Sequence, residues 1–193
     1  MTIGDNNLMV KKTYVINMLS GPGSGKSTLA AELYVTMKKA GFNVEFLQEY
    51  AKQLVWQKEY EILNDQYFVS KKYYESIKAM ESHVDFIILD SSLLNGLWYN
   101  RHNPDNESNI QRTEQHILKY YSEFNNCLFF IKRGAYMYEK EGRIQTEDES
   151  IQIDQEIRDL MAEKGFVYHE IDMKQDDTIE CMLNVLNAID KNN

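Results

Sequence analysis
The sequence predicts an α/β fold, a parallel sheet with helices on both faces in a three-layer α/β/α sandwich, and two observations predict it. Five short runs, residues 14–19, 44–47, 86–89, 128–131 and 167–171, are too continuously apolar for a strand with one wet face, as strands buried on both sides of a sheet require. Between them lie longer stretches with helical patterning, residues 26–40, 50–56, 65–82, 110–124, 147–164 and 178–190. Parallel neighbours need crossover connections of about a dozen residues or more, and alternating runs of these lengths supply them.

The element ends carry matching signals. Gly41 and Gly165 follow the first and fifth helical stretches, where C-terminal glycine caps belong. Thr146 with Glu149 three residues on forms a capping box, which makes Glu147, Asp148 and Glu149 the start of a helix instead of a metal site. The clearest loop is residues 100–108, around Pro104, Asp105 and Asn106, and the second is residues 133–142.

The chain has 193 residues, which predicts one domain spanning 1–193, and no repeat, low-complexity tract or linker divides it. Thirty acidic against 21 basic side chains leave a formal charge of −9, so the bulk electrostatics give no attraction to nucleic acid or an anionic membrane. No apolar run reaches the length of about 18 residues that spans a bilayer, and residues 1–12 are polar, so a cytoplasmic location is expected. Cys127 and Cys181 stand apart from any Cys/His cluster and read as small core residues, with no structural zinc site.

The chemistry begins between the first strand and the first helix, at Gly21-Pro22-Gly23-Ser24-Gly25-Lys26-Ser27-Thr28. In a strand-loop-helix, glycines let backbone N–H groups turn inward on phosphates. Lys26 then reaches the β- and γ-phosphate oxygens, and Ser27 offers its hydroxyl to Mg²⁺. The helix N-terminus adds a dipole that favours anions. A bare Gly-Lys-Ser/Thr arises by chance in about one chain in ten of this length. The three alternating glycines, in the right context, therefore carry the assignment. Ser20 departs from the strict pattern, which has glycine there.

These residues resemble the P-loop kinases: Gly-Pro-Gly-Ser-Gly-Lys-Ser-Thr is the form seen in adenylate-kinase-like and polynucleotide-kinase-like proteins. Gln48-Glu49-Tyr50-Ala51 and Phe86-Ile87-Ile88-Leu89-Asp90 look like the ribosylnicotinamide-kinase group and small phage kinases, some of which phosphorylate hydroxymethyl-pyrimidines in DNA. The resemblance implies a strand order of 2-3-1-4-5 with ligands at the carboxyl ends of the strands, and ATP with Mg²⁺ as cofactors.

Asp90 closes an apolar strand, where a carboxylate is needed to hold Mg²⁺ with Ser27; the plainer alternative is an aspartate that caps the next helix through Ser91 and Ser92. Ser91 stands where water-activating ATPases of the motor type place glutamate. Glu49 ends the second strand, where the nucleoside kinases it resembles use an acid as general base; Asp90 is the alternative base, and Glu49 could simply begin a helix. The resemblance also places a lid at residues 132–147, with Arg133 and Arg143 over the transferring phosphoryl. Gln66 and Trp98 could line an acceptor pocket, and Arg101 could meet an acceptor phosphate or DNA backbone.

The expected activity is Mg-ATP-dependent transfer of a γ-phosphoryl to a nucleoside- or nucleotide-like acceptor. Net acidity leans towards a small acceptor, although a patch of Lys71, Lys72 and Arg101 leaves DNA open. An NTPase coupling hydrolysis to conformational change and a nucleotide-binding regulator without turnover are the rival readings. The chain is expected to be a monomer or homodimer.

Overall fold
A computed structural model of the chain describes residues 12–134, 137–174 and 178–191. The polar segment 1–11 and two residues of the expected lid, 135 and 136, lie outside the described residues. The elements run β1 (Tyr14–Leu19), α1 (Lys26–Lys39), β2 (Val44–Leu47), α2 (Tyr50–Gln57), α3 (Tyr60–Asn64), α4 (Gln66–Met80), β3 (Phe86–Leu89), α5 (Asn95–His102), α6 (Ile110–Ser122), β4 (Asn125–Lys132), α7 (Glu147–Lys164), β5 (His169–Asp172) and α8 (Thr178–Lys191). All strand pairs are parallel and the order is β2-β3-β1-β4-β5. This is the P-loop NTPase fold. Among the described residues no helix is long and apolar enough to cross a membrane.

The alternation of side chains along β1 divides the core into two layers. Val15 and Leu19 pack with Tyr73 and Ile77 of α4, Leu97 of α5, Ile117 of α6 and Ile153 and Ile157 of α7. Ile16 and Met18 pack with Leu29, Leu33 and Met37 of α1 and Met182 and Leu186 of α8. Asn17 interrupts this central strand and is fully buried. Its Nδ2 donates to Val15 O and to Asn126 Oδ1, and its Oδ1 accepts from Ser92 Oγ, so its polar groups are satisfied and tie β1 to the chain just beyond β3.

Several boundaries differ from the pattern. Strand β4 begins three residues before its apolar run, because its ladder with β1 pairs Tyr14 with Asn125 and continues to Leu19 with Phe130. Strand β5 starts at His169, not at residue 167: after the left-handed Gly165, Phe166 and Tyr168 pack on the core while Val167 is left 87% exposed. Helices α3 and α5 were not legible. Helix α5 has Leu94 at its N-cap and no side-chain cap bond, and it takes in Asn100, Arg101 and His102, the first residues of the expected loop.

Helix α7 starts where the capping box puts it. Thr146 Oγ1 accepts from Glu149 N, and Glu149 Oε2 accepts from Thr146 N at 2.7 Å. Thr146→Ala removes the cap and is expected to cost about 1 kcal/mol, read as a lower denaturant midpoint with an unchanged slope.

Candidate active site
The turn between β1 and α1 is closed by short polar contacts. Ser20, at the position where the strict pattern has glycine, is buried and shares a 2.6 Å hydrogen bond with Ser24 Oγ. Lys26, the first residue of α1, is buried, and its Nζ donates to the carbonyls of Ser20 (2.9 Å) and Gly21 (2.7 Å). Burial holds its pKa below the usual lysine value, while Glu49, Asp154 and Asp90 oppose that shift. Pro22, Gly23, Lys26 and Ser27 face a cavity of about 820 Å³. Gly21, Ser24 and Gly25 form the turn behind them, and Thr28 is exposed.

Beyond the β3 end, Asp90 is 4% exposed and has both carboxylate oxygens engaged. Oδ2 accepts from Ser27 Oγ at 3.1 Å and Oδ1 from Glu49 N at 2.7 Å. One carboxylate thus links the phosphate turn to the end of β2. Burial raises its pKa, and the Glu49 and Ser27 hydrogen bonds act against this. Glu49 lines the same cavity. Its carboxyl is pushed up first by burial and then by the negative charge of Asp90, with Lys26 opposing. Desolvation thus acts on Lys26, Glu49 and Asp90 together, with the lysine's charge opposing the upward shift of both carboxyls.

The arginines approach from the segment after β4. Arg133 donates from Nε to Asp154 Oδ2 (2.8 Å) and from Nη2 to Pro22 O (2.7 Å), while Asp154 Oδ1 also accepts from Gly21 N at 2.6 Å. Asp154, on α7, therefore clamps Arg133 to the phosphate turn. Arg143 lines the cavity with its guanidinium 5.2 Å from the Tyr138 ring centre. Among the described residues, the Nη1 atoms of Arg133 and Arg143 are buried without a hydrogen-bond partner.

Two glycines make this closure possible. At Gly23, φ is +72°, and a Cβ would lie 2.5 Å from the Tyr138 ring. At Gly142, φ is +74°, and a Cβ would lie 2.5 Å from Trp56. Both positions combine a backbone that L residues avoid with an aromatic ring pressed on the chain. Residues 137–146 thereby roof the cavity between the phosphate turn and α2.

On the far side, Gln66 is buried, with its Nε2 donating to Leu63 O at 2.7 Å. Trp98 donates from Nε1 to Glu156 Oε2 at 2.7 Å and stacks on His102 with ring centres 4.7 Å apart. Both line the cavity, as does Tyr99, whose hydroxyl pKa is pushed up by burial and then by Glu49. Arg101 is not brought to the site. It pairs with Glu114 (2.9 Å) and Glu163 (2.8 Å), outside the cavity wall. Lys71 and Lys72, the rest of the expected basic patch, both pair with Glu75.

Four residues of this arrangement escaped sequence reasoning. Tyr73, whose hydroxyl donates to Ser91 O at 2.8 Å, was findable from the i, i+4, i+8 series Val69, Tyr73, Ile77 on α4. Asp154, Tyr138 and Asn95 had no signal, since each acts through a contact distant in sequence or in a helix that was not legible.

A family model described as AAA domain matches residues 15–176, most of the chain. The chain belongs to the AAA domain family. No curated protein matches the sequence. Among solved structures, this AAA domain chain resembles deoxyadenosine kinase from M. mycoides with products dCMP and a flexible dCDP bound: TM-score 0.58, 18% identity, 91% of this chain and 99% of that one. It also resembles the NadR protein in complex with NAD and AMP-PNP, with TM-score 0.59 and 14% identity over 83% of this chain and 44% of that one. A third is the Mycobacterium tuberculosis APS kinase CysC in complex with AMPPNP and APS, at 0.52 and 8% over 92% and 99% of the two chains. At these identities the likeness is one of fold, and the fold is P-loop kinase-like.

Proposed function
We propose that this AAA domain chain is an Mg-ATP-dependent phosphotransferase that moves a γ-phosphoryl to a hydroxyl of a small nucleoside-like acceptor. The observation that supports this reading is Asp90: its carboxylate accepts from both the Ser27 hydroxyl and the backbone N–H of Glu49, and so ties the glycine-rich turn to the residue that carries a second carboxyl on the cavity wall.

The residues fit the cofactors. Lys26, held by two carbonyl oxygens, and Arg143 both line the cavity as cationic donors of the kind a phosphate takes. Ser27 and Asp90 are oxygen donors of the kind a hard divalent cation takes. The cavity wall carries four cations (Lys26, Lys52, Lys58 and Arg143) against three carboxylates (Glu49, Asp90 and Asp105) in a chain of net charge −9, which favours an anionic ligand there.

When bound, Mg-ATP supplies the phosphoryl group and neutralises part of its charge. Lys26 and Arg143 stabilise the transferring group, and Arg133, braced by Asp154, holds the phosphate turn. Asp90 is assigned to the metal with Ser27, and Glu49 on the same cavity wall is then the carboxylate that accepts the proton of the acceptor hydroxyl. Ser91 follows Asp90 and lends its carbonyl to Tyr73, so the position used by motor-type ATPases to activate water holds no acid. The roof over the cavity and the ion-paired state of Lys71, Lys72 and Arg101 support a small acceptor over DNA; ribosylnicotinamide and hydroxymethyl-pyrimidine nucleosides remain acceptor classes within the proposal.

The test is transfer of labelled γ-phosphate to a panel of nucleosides, nucleoside monophosphates, ribosylnicotinamide and hydroxymethyl-pyrimidine DNA. Label on one small acceptor supports the reading; label released only as free phosphate overturns it in favour of an NTPase, and nucleotide binding without turnover points to a regulator. Arg143→Ala is expected to lower kcat about 10²-fold with little change in nucleotide affinity, as for loss of one donor to the transition state, measured by steady-state kinetics and calorimetry.

A further inference from the structure
We infer that Tyr99 binds the acceptor directly: its hydroxyl donates a hydrogen bond to a polar atom of the nucleoside, from the wall of the cavity that also carries Glu49. This rests on the kinase reading for the class of acceptor, but not on turnover.

Tyr99 stands on α5 and lines the cavity. Its ring is partly buried and packs on the core layer that holds Tyr73 and Ile117. It meets Trp98 edge to face, with ring centres 5.0 Å apart and planes at 87°. Trp98 is itself fixed, by its bond to Glu156 and its stack on His102. The Tyr99 ring is therefore held in place by the fold before any ligand arrives, which is the condition for a preorganised contact.

The hydroxyl at the end of that ring has no duty within the chain. Tyrosine hydroxyls in buried settings usually find a partner, and Tyr73 on the same wall has one in Ser91 O. Other amide donors of the wall are committed too: Asn95 Nδ2 to Ser91 Oγ, Gln66 Nε2 to Leu63 O and Asn103 Nδ2 to Asn64 Oδ1. The Tyr99 hydroxyl makes no hydrogen bond among the described residues, yet it is not sealed from water. The buried side-chain atoms left without a partner there are Asn95 Oδ1, His116 Nδ1 and the Nη1 atoms of Arg133 and Arg143. With the ring packed on the core, the hydroxyl is reached from the cavity that Tyr99 lines.

Phenylalanine would pack the same ring, so the hydroxyl is explained by what enters the cavity. Burial, then the charge of Glu49 and in smaller part Tyr138, push its pKa further above the ordinary tyrosine value. The phenol therefore keeps its proton near neutral pH and remains a donor. A neutral donor matches the hydroxyl oxygens, carbonyl oxygens and ring nitrogens of a nucleoside. Binding exchanges water for one of those atoms, so the gain is the modest one of a neutral hydrogen bond.

The experiment is calorimetric binding of adenosine, cytidine and thymidine, each alone, and of Mg-AMP-PNP, to the full chain and to Tyr99→Phe, with thermal melts of both. Y99F is expected to bind the preferred nucleoside about 2- to 10-fold more weakly, the range for one neutral hydrogen bond, and Mg-AMP-PNP within about 2-fold of the parent. Its melting temperature without ligand should match the parent's, because the hydroxyl contributes no bond within the chain. In steady-state transfer the loss should fall on the acceptor's KM and leave kcat within about 3-fold, as for a contact made equally in the ground and transition states. Unchanged nucleoside binding in Y99F, an equal loss of AMP-PNP binding, a melting temperature lowered by several degrees, or no nucleoside bound by the parent would each overturn the assignment. Loss of nucleoside binding in Y99F, in a chain that transfers no phosphoryl, would instead sink the kinase proposal and leave Tyr99 standing.

Discussion

Lys26→Ala is expected to reduce phosphoryl transfer about 10³-fold, the upper range for removing one preorganised donor to the transition state. The lysine is buried at the start of α1, and its pKa is depressed by burial against the pull of Glu49, Asp154 and Asp90. It nevertheless has two backbone carbonyls as partners, Ser20 O and Gly21 O. Those partners give the variant a second, separable effect. The substitution leaves two carbonyls short of a donor, a cost of about 1–3 kcal/mol for each that stays buried and unsatisfied, which predicts a lower melting temperature without ligand. A loss of transfer many times larger than the fraction of chain unfolded at the assay temperature separates chemistry from stability. Transfer retained within about 10-fold would remove Lys26 from the transition state, because the expected loss lies well above that.

Glu49→Gln is expected to lower kcat about 10²-fold, at the lower end for a general base because a loose phosphoryl-transfer transition state needs its proton removed late. The same variant should be more stable than the parent at neutral pH. Burial and Asp90 raise the Glu49 pKa above its ordinary value of 4.5, so the folded chain binds this proton more tightly than the unfolded chain. The resulting contribution to stability is fully present below the unfolded pKa and is lost as pH rises through the raised folded pKa. Above that window the carboxylate is a strained neighbour of Asp90, and glutamine relieves it. A melting temperature higher by about 2–4 °C corresponds to 1 kcal/mol for a chain of this size, and the difference should shrink as pH falls. Activity moves the other way: transfer by the parent should fall as pH drops through the raised pKa, and E49Q should lack that limb. A limb unchanged in E49Q would assign the titration to another group, Asp90 being next.

The phosphate turn was legible because its requirements are local. Alternating glycines between an apolar strand and a helix specify backbone geometry within eight residues, and Lys26 and Ser27 follow by position alone. Parallel strands buried on both faces were legible for a similar reason, since burial writes itself as an uninterrupted apolar run. The acidic ends of β2 and β3 were legible as candidates, but their division of labour was not. Only the folded chain shows Asp90 bonded to both Ser27 and the Glu49 amide, with the Glu49 carboxyl on the same cavity wall.

Arg101 and Trp98 show the limit from the other side. Both lie in one segment and both have side chains suited to binding, yet α5 turns Trp98 to the cavity and Arg101 towards Glu114 and Glu163. The helix that makes this choice lacks a side-chain cap bond, so no pattern announced it. By itself the sequence determined the parallel sheet, the phosphate turn and the α7 capping box, because each is encoded by neighbours along the chain. Only the tertiary structure decided that Asp90 bonds both Ser27 and the Glu49 amide and that Asp154 braces Arg133. Those relations join residues tens of positions apart, and hydrogen-bond partners at such separations are chosen by packing.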